Sequence, residues 1–237
     1  MRKLFYLLTD SRCLLCQKPL SFDTKYSCSL CNECFDIFTP EKSDSFCLKC
    51  GELLKSGEVC DKCCIDTKII YYDSFKYIQS YCGAAMQLVK LHKQHDNHKV
   101  LDLYSELLSK ILNPNYPIYI IPDSLPGIIK KGRSCFSRQV TRKLRKKGFH
   151  VICGIIKKSP FAKMQKLLDH KDRHDNAEKS FNLNEKIQKG NIDKIETIQL
   201  VDDIFTTGAT INRCSKLLKD FGFKKVLAYS LFKAKFS

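Results

Sequence analysis

Apolar and polar positions alternate in two different rhythms along residues 65–237. Short apolar runs rich in β-branched and aromatic residues predict strands, and longer stretches with apolar positions three to four residues apart predict helices. The predicted strands are 68–77, 116–122, 150–156, 197–201 and 225–232, and the predicted helices are 82–95, 100–112, 137–148 and 209–222. Strands that alternate with helices predict an α/β fold, with a mostly parallel sheet flanked by helices.

The first 64 residues are poor in apolar core positions and carry ten of the 14 cysteines. Eight of them form four Cys-x-x-Cys pairs, the spacing that lets two thiolates from one tight turn reach one tetrahedral zinc ion. Taken in chain order, the pairs predict two sites: Cys13, Cys16, Cys31 and Cys34 in the first, and Cys47, Cys50, Cys60 and Cys63 in the second. Complete four-thiolate shells leave no open position, so the predicted role of Zn2+ is structural. Interleaved pairing stays open, as does a contribution from Cys28 or Cys64.

A disulfide framework is the alternative to zinc. The apolar stretch near the start of the chain has five residues, which is too short for the core of a signal peptide. We therefore expect a cytoplasmic protein with reduced thiols, in which clustered cysteines bind metal. The expected domains are a cysteine-rich zinc module over 1–66 and an α/β domain over 67–237. No apolar run reaches the roughly 20 residues of a membrane helix.

The formal net charge of +16 is unevenly distributed along the chain. Residues 1–64 hold nine basic and nine acidic residues, whereas residues 128–173 hold fifteen basic and two acidic residues. This basic belt predicts a polyanionic partner, either a ligand's phosphates or the backbone of single-stranded DNA; a merely solvated surface is the alternative. The candidate contacts are Lys130, Lys131, Arg133, Arg138, Arg142 and Arg173.

The stretch "LVDDIFTTGAT" ends a predicted strand and opens a predicted helix. Backbone N–H groups at such a turn attract anions, threonine hydroxyls add donors, and glycine permits close approach. Two carboxylates just upstream suit the vicinal hydroxyls of a sugar. The stretch therefore predicts a ribose 5-phosphate site, with an ordinary capped strand–turn–helix as the alternative. The candidate residues are Asp202, Asp203, Thr206, Thr207, Gly208, Ala209 and Thr210.

This stretch resembles the signature of type I phosphoribosyltransferases, which bind phosphoribosyl pyrophosphate (PRPP) with Mg2+. With cysteine pairs ahead of it, the chain resembles the ComF family, and Gln165, Leu168, Arg173, Asn176 and Phe181 match a further stretch of that family. The resemblance implies a type I phosphoribosyltransferase-like fold and a link to natural transformation, the import of single-stranded DNA. It also implies a protein partner at the zinc module, such as a DNA-uptake ATPase or helicase, and a peripheral position at the inner membrane.

Three hypotheses follow from the resemblance. The chain is a DNA-uptake accessory protein whose site binds PRPP or a DNA 5′-phosphate, an active phosphoribosyltransferase with an unidentified acceptor, or a PRPP-sensing adaptor. We predict no catalytic or ligand-binding role for two groups of residues outside these motifs. The histidines His92, His95 and His98 are expected at the surface, and the single cysteines Cys82, Cys135, Cys153 and Cys214 are expected as small buried side chains.

Overall fold

The structure is a computed structural model that describes residues 12–20, 29–38, 45–66, 68–95, 98–123, 136–159, 177–187 and 195–234. Two short helices lie in the cysteine-rich segment, α1 (Asn32–Asp36) and α2 (Asp61–Ile65). Seven strands and four longer helices follow: β1 (Ser74–Ser80), α3 (Gly83–His95), α4 (His98–Ile111), β2 (Ile118–Ile120), α5 (Phe136–Lys146), β3 (Val151–Ile152), β4 (Ile156–Lys158), β5 (Phe181–Leu183), β6 (Thr197–Phe205), α6 (Ala209–Phe221) and β7 (Lys225–Lys233). No helix in these ranges is both long and apolar enough to cross a bilayer.

The main sheet has five parallel strands in the order β1-β7-β6-β2-β3. From β2 the chain continues to the neighbouring β3, whereas from β6 it continues to β7 on the opposite side. The strand order therefore reverses between β2 and β6, and ligands of such sheets bind beyond the carboxyl ends at that point. The predicted α/β fold with a mostly parallel sheet is confirmed. A small antiparallel pair, β4 with β5, lies apart from the main sheet.

Each face of the sheet is covered by helices with an apolar stripe. On the first face, α3, α4 and α5 bury Leu88, Leu107 and Leu144 in one core, and β6 adds Val201 to it. On the second face, α6 packs a separate stripe of apolar residues on alternate positions of β6 and β7. Each fully buried leucine contributes roughly 2 kcal/mol through loss of apolar contact with water. The two cores therefore fix the position of the sheet edge at which the candidate site lies.

The predicted strand 150–156 is wrong as a single element. It divides into β3 and β4, which belong to different sheets. Gly154 separates them with a φ of 89°, a left-handed conformation that turns the chain and that glycine adopts without steric cost. The predicted strand 197–201 is too short, because β6 runs on to Phe205 and includes both aspartates of the motif.

Several expectations for single residues are also wrong. His92 is buried against the rings of Tyr104 and Phe136, and not at the surface. Cys82 and Cys153 are exposed, whereas Cys214 is buried as expected. Cys135 and the side chains of His95 and His98 lie outside the described residues.

Strands β6 and β7 break the usual alternation of faces at the same row of the sheet. Side chains two residues apart in a strand normally share a face. In β6, Val201 packs in the first core, yet Ile204 packs there too and Phe205 packs in the second. In β7, the consecutive residues Leu231 and Phe232 both pack in the first core. Because Ile204 pairs with Phe232, the two irregularities match each other across the ladder.

Candidate functional site

The structure brings together the same two groups of four cysteines that the spacing predicted. Within each group the four Sγ atoms lie within 4.8 Å of one another. The Sγ atoms of Cys16 and Cys31 are 3.6 Å apart, and those of Cys50 and Cys60 are 3.7 Å apart. Four thiolates at 2.3 Å from a tetrahedral zinc ion would be about 3.8 Å apart, so both groups fit Zn2+. Cys64 is exposed and belongs to neither group, and Cys28 lies outside the described residues.

The two groups have the same backbone design. In the first, a bridge between Arg12 and Pro19 closes a turn, and the Cys13 N–H donates to the Lys18 carbonyl at 2.9 Å. In the second, a bridge between Phe46 and Leu53 closes the matching turn. A short helix then follows directly after the third cysteine of each group, α1 after Cys31 and α2 after Cys60. The cysteine-rich segment is therefore an internal repeat of turn and helix.

Backbone N–H groups shape the electrostatics of each turn. Burial opposes ionisation of Cys13 and Cys47, but the N–H groups around each sulfur outweigh it and lower the pKa of each thiol to about 7. One of these is the Cys60 N–H, which donates to the Cys47 Sγ at 3.4 Å. The first thiol of each group is therefore prepared to bind a cation as a thiolate. Burial raises the pKa of Cys50 to about 11.

The candidate phosphate loop, Thr206–Gly208, connects β6 to the start of α6. Gly208 has a φ of 76°, and a Cβ at this position would lie 2.7 Å from the Phe205 ring. Glycine is therefore required both by the backbone conformation and by the close packing on the ring. No side chain caps α6 at Gly208, and the Thr207 Oγ1 accepts a hydrogen bond from the Ala209 N–H at 3.3 Å. Backbone N–H groups at the start of a helix are the groups that bind anions, so the start of α6 is a candidate anion site.

Asp202 and Asp203 lie near the carboxyl end of β6, which ends at Phe205, and their side chains point to opposite faces of the sheet. Asp203 lies on the first face, where the Lys93 Nζ of α3 is 2.6 Å from its Oδ2. Burial works to raise the pKa of Asp203, but the Lys93 ammonium holds it below its usual range. Asp202 pairs with Ser230 on the second face, near Cys214 of α6. Burial and the Asp203 carboxylate raise the pKa of Asp202 to about 8.

Lys93 is a site residue that the sequence reasoning missed. It follows the buried stripe of α3 formed by Leu88, Val89 and His92, so it stands at the border of a core-facing surface. A charged residue at such a position needs a partner, and that signal was present in the helical pattern. What the sequence could not supply is the identity of the partner, which lies 110 positions further along the chain.

A line of ring contacts joins the second cysteine group to the phosphate loop. A Cβ on Gly51, the residue after Cys50, would lie 3.0 Å from the Tyr77 ring and 3.1 Å from the Phe75 ring. The Phe75 ring stacks on Phe205 with centroids 4.1 Å apart. Phe205 in turn is the ring on which Gly208 packs. The turn of the second group therefore supports the loop through two layers of aromatic contact.

A cleft of about 780 Å³ lies beside this line of contacts. It runs from the second cysteine group to Thr207 and Gly208, and neither Asp202 nor Asp203 lines it. Asn212 of α6 closes one side, because its amide donates to the Ile69 carbonyl at 2.9 Å and accepts the Tyr71 N–H at 2.8 Å. The Tyr72 hydroxyl donates to the Lys49 carbonyl at 2.7 Å and closes another side.

The basic belt is only partly available for a partner. Lys143 of α5 pairs with Asp102, and Lys147, the residue after α5, pairs with Glu106 at 2.6 Å, so these two cations fasten the helix to α4. Arg138 and Arg142 are exposed on the same helix. Four predicted belt contacts lie outside the described residues, namely Lys130, Lys131, Arg133 and Arg173. The match to the family stretch also falls outside them except at Phe181, which is buried in β5.

Comparison with known proteins gives two similar proteins, and no family model matches the chain. The chain is 25% identical over 241 residues to competence protein ComFC of Streptococcus pneumoniae, an alignment that covers 93% of this chain and 99% of that protein. It is 33% identical over 81 residues to competence protein F of Haemophilus influenzae, which covers 34% of each. The first similarity therefore extends over nearly the whole of both chains.

Proposed function

We propose that the chain belongs to the ComF family and acts in DNA uptake during competence, through a site at residues 202–210 that binds PRPP. Both similar proteins are named competence proteins. The observation that carries the ligand assignment is a pair of adjacent carboxylates near the end of β6, followed by a glycine that packs on an aromatic ring at the start of α6. This arrangement stands at the reversal of strand order, where ligands of α/β sheets bind.

In this proposal, different protein groups bind the phosphate and the ribose of PRPP. The 5-phosphate is bound by the N–H groups and hydroxyls of Thr206, Thr207, Gly208, Ala209 and Thr210. The ribose hydroxyls donate to Asp202 and Asp203 at the other end of the loop. When Mg2+ is bound with PRPP, it neutralises charge on the pyrophosphate, and carboxylate oxygens are the donors that this ion prefers. We further propose that residues 1–66 form the zinc module and residues 67–237 the ligand-binding domain.

Calorimetric titration of PRPP with Mg2+ into the zinc-loaded full chain tests this function. We expect micromolar binding by the wild type and a loss of at least tenfold in Gly208→Ala, because the new Cβ would meet Phe205 and displace the loop. Gly148→Ala is the matched control. Gly148 also has a positive φ, of 88°, but an added Cβ meets nothing within 4 Å, so PRPP affinity is expected to stay within twofold. Absence of PRPP binding by the wild type would refute the ligand assignment.

The pH dependence of binding tests the role of Asp202. Its raised pKa of about 8 means that the free protein holds a proton there at neutral pH. A diol that donates to the carboxylate favours the ionised form, so binding releases this proton and affinity rises with pH until about pH 8. Measurements between pH 7 and 9 avoid the second ionisation of the phosphates near pH 6. In Asp202→Asn the rise should vanish; a wild type with no rise would contradict the assignment.

A DNA 5′-phosphate is the competing ligand for the same loop. The exposed Arg138 and Arg142 give a DNA backbone cations to contact on α5. A short 5′-phosphorylated single strand added to the PRPP titration separates the two cases. Displacement of PRPP by the strand supports one shared site, whereas undisturbed PRPP binding assigns the strand to a separate surface. The same strand without its 5′-phosphate is the control.

A second function, docking of a partner protein by the zinc module, is favoured by two exposed apolar side chains. Ile65 at the end of α2 is 80% exposed and Ile69 is 69% exposed, and apolar surface grouped in this way marks interaction sites. We propose that these residues contact a protein of the DNA-uptake machinery. Ile65→Ser with Ile69→Ser should abolish capture of that partner while PRPP affinity and zinc content stay unchanged. Retained capture would refute the docking surface.

A further inference from the structure

We propose that Lys93 is the residue that distinguishes PRPP from ribose 5-phosphate, because its ammonium meets the pyrophosphate on C1. This inference rests on the proposed function, since it assumes that the ribose hydroxyls reach the aspartates. It adds a specificity-determining residue from a helix that lies outside the motif at 202–210. The role is one of binding, and no bond is made or broken at Lys93.

The position of Lys93 is fixed by its partner. Its Nζ lies 2.6 Å from the Asp203 Oδ2, and the side chains are 39% and 25% exposed respectively. The ion pair is therefore neither a solvated surface contact nor a sealed core pair. It lies two residues before the end of β6, and both side chains keep part of their surface in contact with solvent. Asp203 also raises the pKa of Lys93, so the ammonium is charged throughout the pH range of the experiments.

The geometry of the sugar decides which phosphate meets this ammonium. Carbons 2 and 3 of the ribose carry the hydroxyls, and carbon 1 is bonded directly to carbon 2. The pyrophosphate on carbon 1 therefore lies beside the hydroxyls. The 5-phosphate is at the opposite end, where the loop Thr206–Gly208 holds it. A cation in contact with Asp203 is consequently beside the pyrophosphate and far from the 5-phosphate.

Ligand binding also changes what Lys93 contacts. In the free protein the ammonium compensates Asp203. When a ribose hydroxyl donates to Asp203, part of that contact is replaced, and the ammonium needs a new anionic partner. Pyrophosphate supplies it, whereas ribose 5-phosphate has only a hydroxyl on carbon 1 and leaves the cation less well compensated. The exchange favours PRPP over the sugar phosphate that otherwise fills the same site.

Paired titrations test this role. PRPP with Mg2+ and ribose 5-phosphate are each titrated into the zinc-loaded wild type, Lys93→Gln, Lys93→Arg and Lys90→Gln. Glutamine keeps an N–H donor for Asp203 while it removes the charge, so the fold should be retained; zinc content and Tm check this. Lys90 is the matched control, because it is exposed on the same helix one turn away.

We expect Lys93→Gln to lose at least tenfold in PRPP affinity and less than threefold in ribose 5-phosphate affinity. Lys93→Arg should retain most of the PRPP affinity, and Lys90→Gln should stay within twofold for both ligands. Equal losses for the two ligands, or no loss, would overturn the role of Lys93 and leave the proposed function standing. A wild type that binds neither ligand would overturn both.

Discussion

The two cysteine groups repeat one local structure but have different neighbours. Each consists of a bridged turn followed by a short helix, with the second cysteine pair at the start of that helix. Around the first group, Leu30, Phe35 and Phe38 join the large core of the first face, and the Phe38 ring is 6.2 Å from Phe232. The second group rests instead on Phe75 and Tyr77, which lead to the phosphate loop.

One residue in each turn shows how the neighbours act on the sequence. Gln17 and Gly51 occupy the same position, one after the second cysteine, with φ values of 61° and 73°. Gln17 is exposed and tolerates a side chain there, at some conformational cost. Gly51 has no room, because Phe75 and Tyr77 lie where its Cβ would be. One copy of the repeated local structure therefore packs in the core, and the other packs against the rings that support the candidate phosphate loop.

The largest expected effect comes from breaking each group at its first cysteine. Cys13→Ser should lower the bound zinc from two ions to one and destabilise the protein by several kcal/mol, because the first group belongs to the main core. Cys47→Ser should lose one zinc with a smaller fall in Tm but a loss of at least tenfold in PRPP affinity. Zinc content, Tm and calorimetry measure the three quantities. A larger loss of PRPP affinity in Cys13→Ser than in Cys47→Ser would contradict the view that the second cysteine group, and not the first, supports the candidate phosphate loop.

A smaller effect is expected at the paired turn positions. Gly51→Ala should cost about 1–3 kcal/mol, because it adds backbone strain at a positive φ and pushes Phe75 and Tyr77 aside. It should also weaken PRPP binding several-fold through Phe205. Gln17→Gly should leave PRPP binding unchanged and the free energy of unfolding within about 1 kcal/mol of the wild type. Denaturant unfolding of the zinc-loaded protein measures both; equal effects at the two positions would remove the distinction.

The smallest effect concerns one ion pair in each group. Lys233 of β7 pairs with Glu52; the lysine side chain is only 5% exposed, but the Glu52 side chain is 58% exposed. Water therefore already screens the pair, so Glu52→Gln should cost about 1 kcal/mol. Lys18 pairs with Glu33 at 2.9 Å on an exposed surface. Glu33→Gln should therefore leave Tm unchanged. Thermal unfolding at low and high salt compares the two variants, and a salt-sensitive loss in Glu33→Gln would contradict this ranking.

The fold class and the two cysteine groups could be predicted because both depend on short-range patterns. Helical spacing identified α3, α4, α5 and α6, and the Cys-x-x-Cys spacing identified the ligand groups in chain order. The division of 150–156 into two strands was not predictable from periodicity. An apolar run gives no sign of which sheet each half joins, and the halves are separated by a turn at Gly154, where φ is positive.

The electrostatics of the candidate site depended on long-range contacts instead. The motif at 202–210 gave the residue types, but the sequence did not indicate that Asp202 and Asp203 turn to opposite faces. Their different pKa values arise from neighbours on different elements, Lys93 on α3 for Asp203, and burial beside α6 for Asp202. The burial of His92 was missed for the same reason, since its core partners come from α4 and α5.

The matched irregularity of β6 and β7 limits how this site could be transferred to another protein. The two carboxylates take opposite faces in a strand whose neighbour shifts its own alternation at the paired row, Ile204 beside Phe232. A segment 202–210 grafted into a sheet with regular alternation would direct Phe205 to the wrong core and leave Gly208 without its ring. The unit that can be transplanted is therefore the pair of strands with their register. The nine-residue motif alone would carry the side chains of the site but not their arrangement.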